Sequence, residues 1–265
     1  MEFVEVEGAR VAYRVDGRGP GLVLVHGTGG NGETSWTEVL DRMAVRWTVV
    51  RPDYAGSGAT RDGGGPLSLA ALAGQVVAAA EAAGAAPFHI LGFSLGAAVA
   101  VKIAADHPAK LRSLVALGGF PSAADTRMQF LLRLWRDLAG RDREAMARLG
   151  LLTCLSPDYL DRFDAAALEQ AVAEDLANND WDGLLRQIDL DLTLDLREEA
   201  PRVRAPALVI GCRQDQIVPP AHARALAAAI PGARYAEIDS GHAAALEAPE
   251  ALLDLVEPFF AGLDR

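Results

Sequence analysis

The stretch His89-Ile90-Leu91-Gly92-Phe93-Ser94-Leu95-Gly96-Ala97-Ala98 decides the fold class. Residues 89–93 form a β-rich apolar run and residues 97–105 pattern as a helix, so a serine between two glycines stands at a strand-to-helix junction. A turn this sharp strains the backbone at the serine. Side chains at the two flanking positions would collide with the strand or the helix, so glycine is required there on steric grounds. The serine Oγ is left exposed at a helix N-terminus, where backbone N–H groups favour developing negative charge. A Gly-x-Ser-x-Gly string alone is weak, because Gly and Ser also occur together in flexible loops. Here the context on both sides is the one a nucleophile elbow demands.

Outward from the elbow, short β-rich runs recur at residues 22–26, 48–51, 88–93, 114–117, 207–211 and 234–238. Helical spacing occupies 68–83, 95–106, 221–229 and 249–260, with Ser68 and Pro249 at plausible helix starts. Continuous apolar strands alternating with helices predict an α/β class with a mostly parallel central sheet covered on both faces. Residues 3–6 and 10–15 read instead as an antiparallel hairpin at one edge. Residues 121–203 break the alternation: they carry helical patterns without a convincing strand and are too long for a loop. The expected organisation is a core domain of residues 1–120 and 204–265, with residues 121–203 as a helical cap inserted over the carboxyl edge of the sheet.

The composition agrees with a compact soluble chain: 265 residues, 51% hydrophobic and 23% charged. The formal charge of −11 repels polyanions, and Arg133, Arg136, Arg141 and Arg143 are interleaved with Asp137, Asp142 and Glu144, so no nucleic-acid partner is expected. The acidic start, Met1-Glu2-Phe3-Val4-Glu5, is unlike a signal peptide and no later segment reads as a membrane span, which predicts a cytoplasmic protein without membrane association. Cys154 and Cys212 lack metal-ligand spacing and read as isolated buried thiols.

A second motif, Leu22-Val23-Leu24-Val25-His26-Gly27-Thr28-Gly29-Gly30-Asn31, is a buried strand ending in a glycine loop. It lacks the Gly-Lys-Ser/Thr ending of a nucleotide-binding loop, and it lies upstream of the elbow, where a second oxyanion donor is expected. The backbone N–H groups of Thr28 and Leu95 are therefore the expected oxyanion donors, and His26 is read as organising its loop.

Taken together, the chain resembles the α/β-hydrolase superfamily, in the capped group that includes carboxylesterases and enol-lactonases. The resemblance covers nearly the whole sequence. It is carried by His26-Gly27, Asp53-Tyr54-Ala55-Gly56-Ser57-Gly58, Gly92-Phe93-Ser94-Leu95-Gly96, Pro206-Ala207-Leu208-Val209-Ile210-Gly211 leading to Asp215, and Gly241-His242, in the family's order. Ala55 stands where relatives often have Arg, and Ala97 where many have a third Gly.

This resemblance implies a catalytic triad of Ser94, Asp215 and His242 acting without metal or organic cofactor. His242 would take the Ser94 proton and deliver it to the leaving group, while Asp215 fixes the imidazole tautomer. Asp189, Asp191, Asp195 and Asp239 are nearby carboxylates, of which Asp239 is the minor alternative; Asp53 is read as stabilising its own turn. A serine at the nucleophile position argues against the dehalogenases and epoxide hydrolases of this fold. Trp36, Phe130, Trp135, Phe163 and Trp181 are the candidate pocket aromatics. The expected reaction is hydrolysis of a small-molecule ester, lactone or thioester through an acyl-enzyme on Ser94. The alternative is the same triad in a lyase, a cyclase or a ligand-binding protein. Oligomeric state stays open at this point, monomer or homodimer.

Overall fold

The computed structural model describes residues 1–264. The chain opens with strands β1 (Glu2–Val6), β2 (Ala9–Asp16) and β3 (Gly21–Val25), helix α1 (Thr37–Ala44), β4 (Thr48–Asp53) and the two-residue β5 (Arg61–Asp62). There follow α2 (Leu69–Ala82), β6 (Phe88–Phe93), α3 (Leu95–Asp106) and β7 (Leu111–Leu117). Five helices then run without a sheet strand: α4 (Thr126–Arg141), α5 (Arg143–Cys154), α6 (Pro157–Leu160), α7 (Ala165–Asn178) and α8 (Trp181–Asp191). The chain returns to the sheet with β8 (Ala207–Cys212), α9 (Pro220–Ala229), β9 (Arg234–Ile238), α10 (Ala244–Glu247) and α11 (Pro249–Ala261).

The sheet order is β1-β2-β4-β3-β6-β7-β8-β9, with β5 attached to β2. From β4 to β9 every pairing is parallel, and β2 runs against the rest, pairing antiparallel with β1, β4 and β5. The central strands show why one apolar run serves two layers. Side chains alternate across a strand, so Val23, Val25, Ile90, Ala116 and Val209 enter the core under α2, α3 and α9, while Leu22, Leu24, Leu91, Leu117 and Ile210 enter the core under α1 and α11.

Helix α1 and the start of β7 depart from the sequence expectation. Helix α1 has no side-chain cap, since Trp36 occupies the N-cap position, and it is held by burial of Val39 and Met43 against the sheet. Strand β7 begins at Leu111, ahead of the expected 114–117, because the irregular register at Phe88/His89 lets Leu111 and the polar Ser113 pair with β6. Among the described residues, the segment 121–203 contributes only an isolated antiparallel bridge, Ser122 to Asp195. No described helix is long and apolar enough to cross a membrane.

The elbow is a tight crossing. A Cβ at Gly92 would lie 2.1 Å from the Gly96 carbonyl oxygen, and one at Gly96 would lie 2.2 Å from that of Val25 and 2.4 Å from that of His26. Both obstacles are backbone and cannot rotate away. Gly96→Ala is accordingly expected to lower unfolding stability by about 1–3 kcal/mol or more, as overpacking against fixed atoms does. Urea denaturation checks this, with Gly74→Ala as the control, since a Cβ at position 74 meets nothing within 4 Å.

Candidate active site

Ser94 is the one non-glycine residue with positive φ among the described residues, at φ 56° and ψ −119°. Its N–H donates to the Leu117 carbonyl at 2.9 Å, which pins the turn to the end of β7, and α3 starts at the next residue. The side chain faces a cavity of about 90 Å³ that is also lined by His242. His242 follows β9 and is buried, with its ring 4.7 Å from that of Phe93. Gly118, at φ +58°, makes room for it, because a Cβ there would stand 3.1 Å from the His242 Cε1.

Asp215 lies in the loop after β8, and its Oδ2 accepts from His242 Nδ1 at 2.6 Å. Its other oxygen accepts from the N–H groups of Ile217 at 2.9 Å and Val218 at 2.7 Å. One oxygen of this carboxylate is thus held by its own loop and the other faces the ring, and the tautomer with Nδ1 protonated is selected, leaving Nε2 free to act as a base. Asp239 is exposed and accepts from Gln214 Nε2 at 3.1 Å, so it makes no contact with His242. Asp53 is buried, and accepts from the N–H of Ala59 in its own turn at 3.0 Å and from that of Gly32 in the loop after β3 at 2.7 Å.

The loop after β3 packs against the elbow so closely that a Cβ at Gly27 would lie 2.9 Å from the Ser94 Cβ. Thr28, next in sequence, lines the cavity beside Ser94, and the Leu95 N–H opens α3. His26 stacks on Tyr54 at 4.0 Å, its Nδ1–H donates to the Gly27 carbonyl at 2.9 Å, and its Nε2 meets the Ser57 hydroxyl at 3.0 Å. Burial pushes the His26 imidazole down to about 4. His89 is likewise structural, bonded to Ser113 and Asp264. His107 is exposed, and His222 lies 3.7 Å from Asp125.

Helix α8 grips this loop from above. Gln187 is fully buried; it accepts from the Gly29 N–H at 2.7 Å and donates to the Gly56 carbonyl at 2.8 Å. One turn on, Asp191 accepts from the Thr28 hydroxyl at 2.6 Å. One turn back, Gly183 admits the Gly56 carbonyl, which would stand 2.2 Å from a Cβ. A second clasp joins the other side. Glu247 Oε2 accepts from the N–H groups of Ser156 and Gly241, each at 3.1 Å, and the Ala243 N–H donates to the Cys154 carbonyl at 3.1 Å. The sequence reading missed Gln187 and Glu247 and counted Asp191 only as a rival acid. The available signal was the spacing 183, 187 and 191, which puts Gly, Gln and Asp on one helix face.

Of the five candidate pocket aromatics, Trp135 lines the cavity over Ser94, together with Met128, Leu131 and Leu132 of α4. Its indole N–H is buried without a partner. The other four stand elsewhere. Trp36 is fully buried in the core under α1, and Trp181 packs in the opposite core with Arg143 over its ring. Phe130 is 76% exposed, because it projects from the outer side of α4 while Met128 and Leu132 take the inner one. Phe163 lines a separate groove of about 640 Å³ with Leu152 and Leu160. The Ser94 cavity adjoins a wider one of about 280 Å³ through the shared walls Thr28, Trp135, Cys154 and Ala243. Cys154 is a free thiol pushed up to about 12 by burial, hence unreactive at neutral pH.

A family model described as alpha/beta hydrolase fold matches residues 20–249. The chain belongs to the α/β-hydrolase family. It is 46% identical over 264 residues to a pyrrolizixenacetamide deacetylase of Xenorhabdus hominickii, covering 100% of this chain and 99% of that protein. A putative carbamate hydrolase, RutD, of Azorhizobium caulinodans is 29% identical over 268 residues, with 100% of both chains covered. Among solved structures, the enol-lactonase of Burkholderia xenovorans LB400 superposes with a TM-score of 0.87 at 26% identity, covering 98% of this α/β hydrolase and 100% of the lactonase. A thermophilic esterase of Thermogutta terrifontis shares the fold at a TM-score of 0.86.

The buried loop of this hydrolase makes its stability sensitive to acid. His26 titrates near its ordinary value of about 6.5 when unfolded and near 4 when folded. Its stabilisation is therefore complete above the unfolded value and is lost as pH falls toward the folded one. Between those values the unfolded state binds one more proton, a slope of about 1.4 kcal/mol per pH unit. Urea unfolding from pH 7 to pH 4.5 should show that slope diminished by one proton in His26→Gln relative to the parent.

Proposed function

We propose that the protein hydrolyses a small carboxylic ester or amide by acyl transfer through Ser94, with His242 as base and acid and Asp215 as its orienting carboxylate. The observation that carries the reading is the 2.6 Å contact between His242 Nδ1 and Asp215 Oδ2, next to a strained Ser94 in the same cavity. Ser94 Oγ attacks the acyl carbon while His242 Nε2 takes its proton. The carbonyl electrons move onto oxygen, which rests against the N–H groups of Thr28 and Leu95. His242 then gives the proton to the leaving oxygen or nitrogen. Water, deprotonated by the same ring, releases the acid and frees Ser94.

The α4–α8 segment acts in this reading as a cap that selects substrate. The inner chamber of about 90 Å³ suits a short acyl chain, and the adjoining one of about 280 Å³ the remainder. The relatives named deacetylase and carbamate hydrolase widen the expected bond class from esters to acyl–nitrogen bonds. A site of this kind favours catalysis over a pure binding role, since a binding protein has no use for backbone strain at a serine paired with a base, and the hydrolase-named relatives favour hydrolysis over a lyase or cyclase. The apolar walls and the acidic chain favour a neutral small molecule over a polyanion as the partner.

Ser94→Ala should lose on the order of 10³-fold or more in kcat on a short-chain aryl ester while keeping the parent fold. A serine-directed fluorophosphonate should add its mass to the parent peptide containing Ser94 and not to that of the variant; labelling elsewhere with unchanged turnover would refute the assignment. The carboxylate role is separable. Asp215→Asn presents the wrong hydrogen-bonding group to the ring and should depress kcat on the order of 10³-fold, whereas Asp239→Asn, at an exposed position, should stay within about threefold. Parallel steady-state assays of the two variants check that ranking.

A further inference from the structure

The carboxyl group of Asp191 closes α8 inside the molecule, only 4% exposed, in the lining of the Ser94 cavity. Its Oδ2 accepts from the Thr28 hydroxyl, but its Oδ1 is buried and has no hydrogen-bond partner. A carboxyl group at a helix C-terminus also meets the unfavourable end of the helix dipole. The position is costly, and the fold does not need it for docking α8, because Gln187 and Gly183 already hold that helix against the loop. Apart from Thr28, Ser94, His242, Cys154 and Trp135, the walls of this cavity around the unpartnered oxygen are apolar, with Phe120, Met128, Leu131, Leu132, Ile217 and Val218 among them. His242 cannot satisfy it in the resting site, since its Nδ1 is committed to Asp215. The Trp135 indole N–H in the same cavity is also unpartnered, so the two groups do not bond each other in the resting site and both are left for the substrate to meet.

We propose that Asp191 Oδ1 accepts a hydrogen bond from the N–H of a secondary amide at the scissile bond, so that the site favours N-acyl over O-acyl substrates. The inference rests on acyl transfer through Ser94 as set out above. When Ser94 Oγ bonds to the amide carbon, the carbonyl π pair moves to oxygen and the nitrogen becomes pyramidal. Its lone pair must face His242, which supplies the proton as the C–N bond breaks and the bonding pair stays on nitrogen. The hydrogen already on that nitrogen is thereby turned away from His242 and needs an acceptor on another wall. Thr28 links the two tasks: its backbone N–H is assigned to the oxyanion while its hydroxyl aims the Asp191 carboxyl. An ester oxygen carries no hydrogen and has nothing to offer Asp191. Burial, opposed by the Thr28 hydrogen bond and the nearby His242, pushes this carboxyl up to about 7, so the accepting carboxylate becomes the main form as the pH rises above neutrality.

The test compares three probes with one acyl group and one aryl group: 4-nitrophenyl acetate, 4-nitroacetanilide and N-methyl-4-nitroacetanilide, which lacks the N–H. In the parent, the secondary anilide should exceed its N-methyl analogue in kcat/KM. Asp191→Leu should lower the anilide-to-ester ratio of kcat/KM by about 10- to 100-fold, the fold-change of one hydrogen bond to a charged group. Asp191→Asn should restore part of the ratio, because its carbonyl oxygen can face the cavity while its amide donates to Thr28. Mass analysis that finds the fluorophosphonate on Ser94 in each variant verifies a folded nucleophile. Equal losses on ester and anilide, or no change in the ratio, would overturn the inference and leave Asp191 as an anchor for Thr28. A parent that cleaves the ester but not the anilide would overturn it while sparing the serine mechanism. Absence of labelling at Ser94 in the parent would overturn both.

Discussion

The backbone conformation of Ser94 is the constraint from which the rest of the site follows. At φ 56° a side-chain-bearing residue sits in sterically disfavoured territory, at a cost of about 1–3 kcal/mol. That cost is sustained because strand and helix on either side are both buried and packed, leaving the turn no room to relax. The consequence propagates in two directions. Glycine is imposed at 92 and 96, where the helix crosses the strand and the end of β3, and the carbonyls of Val25 and His26 are brought against the start of α3. The loop carrying Thr28 is thereby set beside the serine by the sheet itself, since β3 and β6 are neighbours paired from Gly21↔Phe88 to Val25↔Gly92.

The parallel sheet then explains why residues far apart in sequence converge. Ser94, Asp215 and His242 all follow the carboxyl ends of parallel strands, where open α/β sheets gather their ligands. Asp215 is satisfied by its own loop and His242 by Asp215, so this pair is assembled before anything binds. Preorganisation of that kind removes reorganisation from the reacting step. By contrast, the helices over the sheet edge are bound to the site through polar contacts: Gln187 and Asp191 to the loop after β3, and Glu247 between Ser156 and Gly241. Chemistry and cavity shape are therefore mechanically linked, although the residues of the two parts come from different stretches of chain.

Much of this was legible in the sequence. The apolar runs for β3, β6 and β8 and the patterns for α2, α3, α9 and α11 were readable because a buried parallel strand is continuously apolar and a packed helix repeats every three to four residues. The elbow was legible because the chemistry of the turn dictates residue type at three positions locally. Helix α1 was not, since a short helix without a side-chain cap is stabilised only by what it packs on.

Only the tertiary structure decided which acidic residue meets His242 and which aromatic faces the cavity. Asp215, Asp239 and Asp191 are equivalent as letters, yet one is bonded to the ring, one is exposed, and one is buried with an oxygen left over. Trp135 and Phe130 share one helix, and the direction of their side chains around its axis put one in the cavity and the other in solvent. Sequence by itself determined the elements and the strained serine, because those depend on neighbours a few residues away. The partners of each side chain were decided by the sheet order and by the docking of α8, because contacts between residues such as Thr28 and Asp191, 163 positions apart, exist only once those elements are packed together.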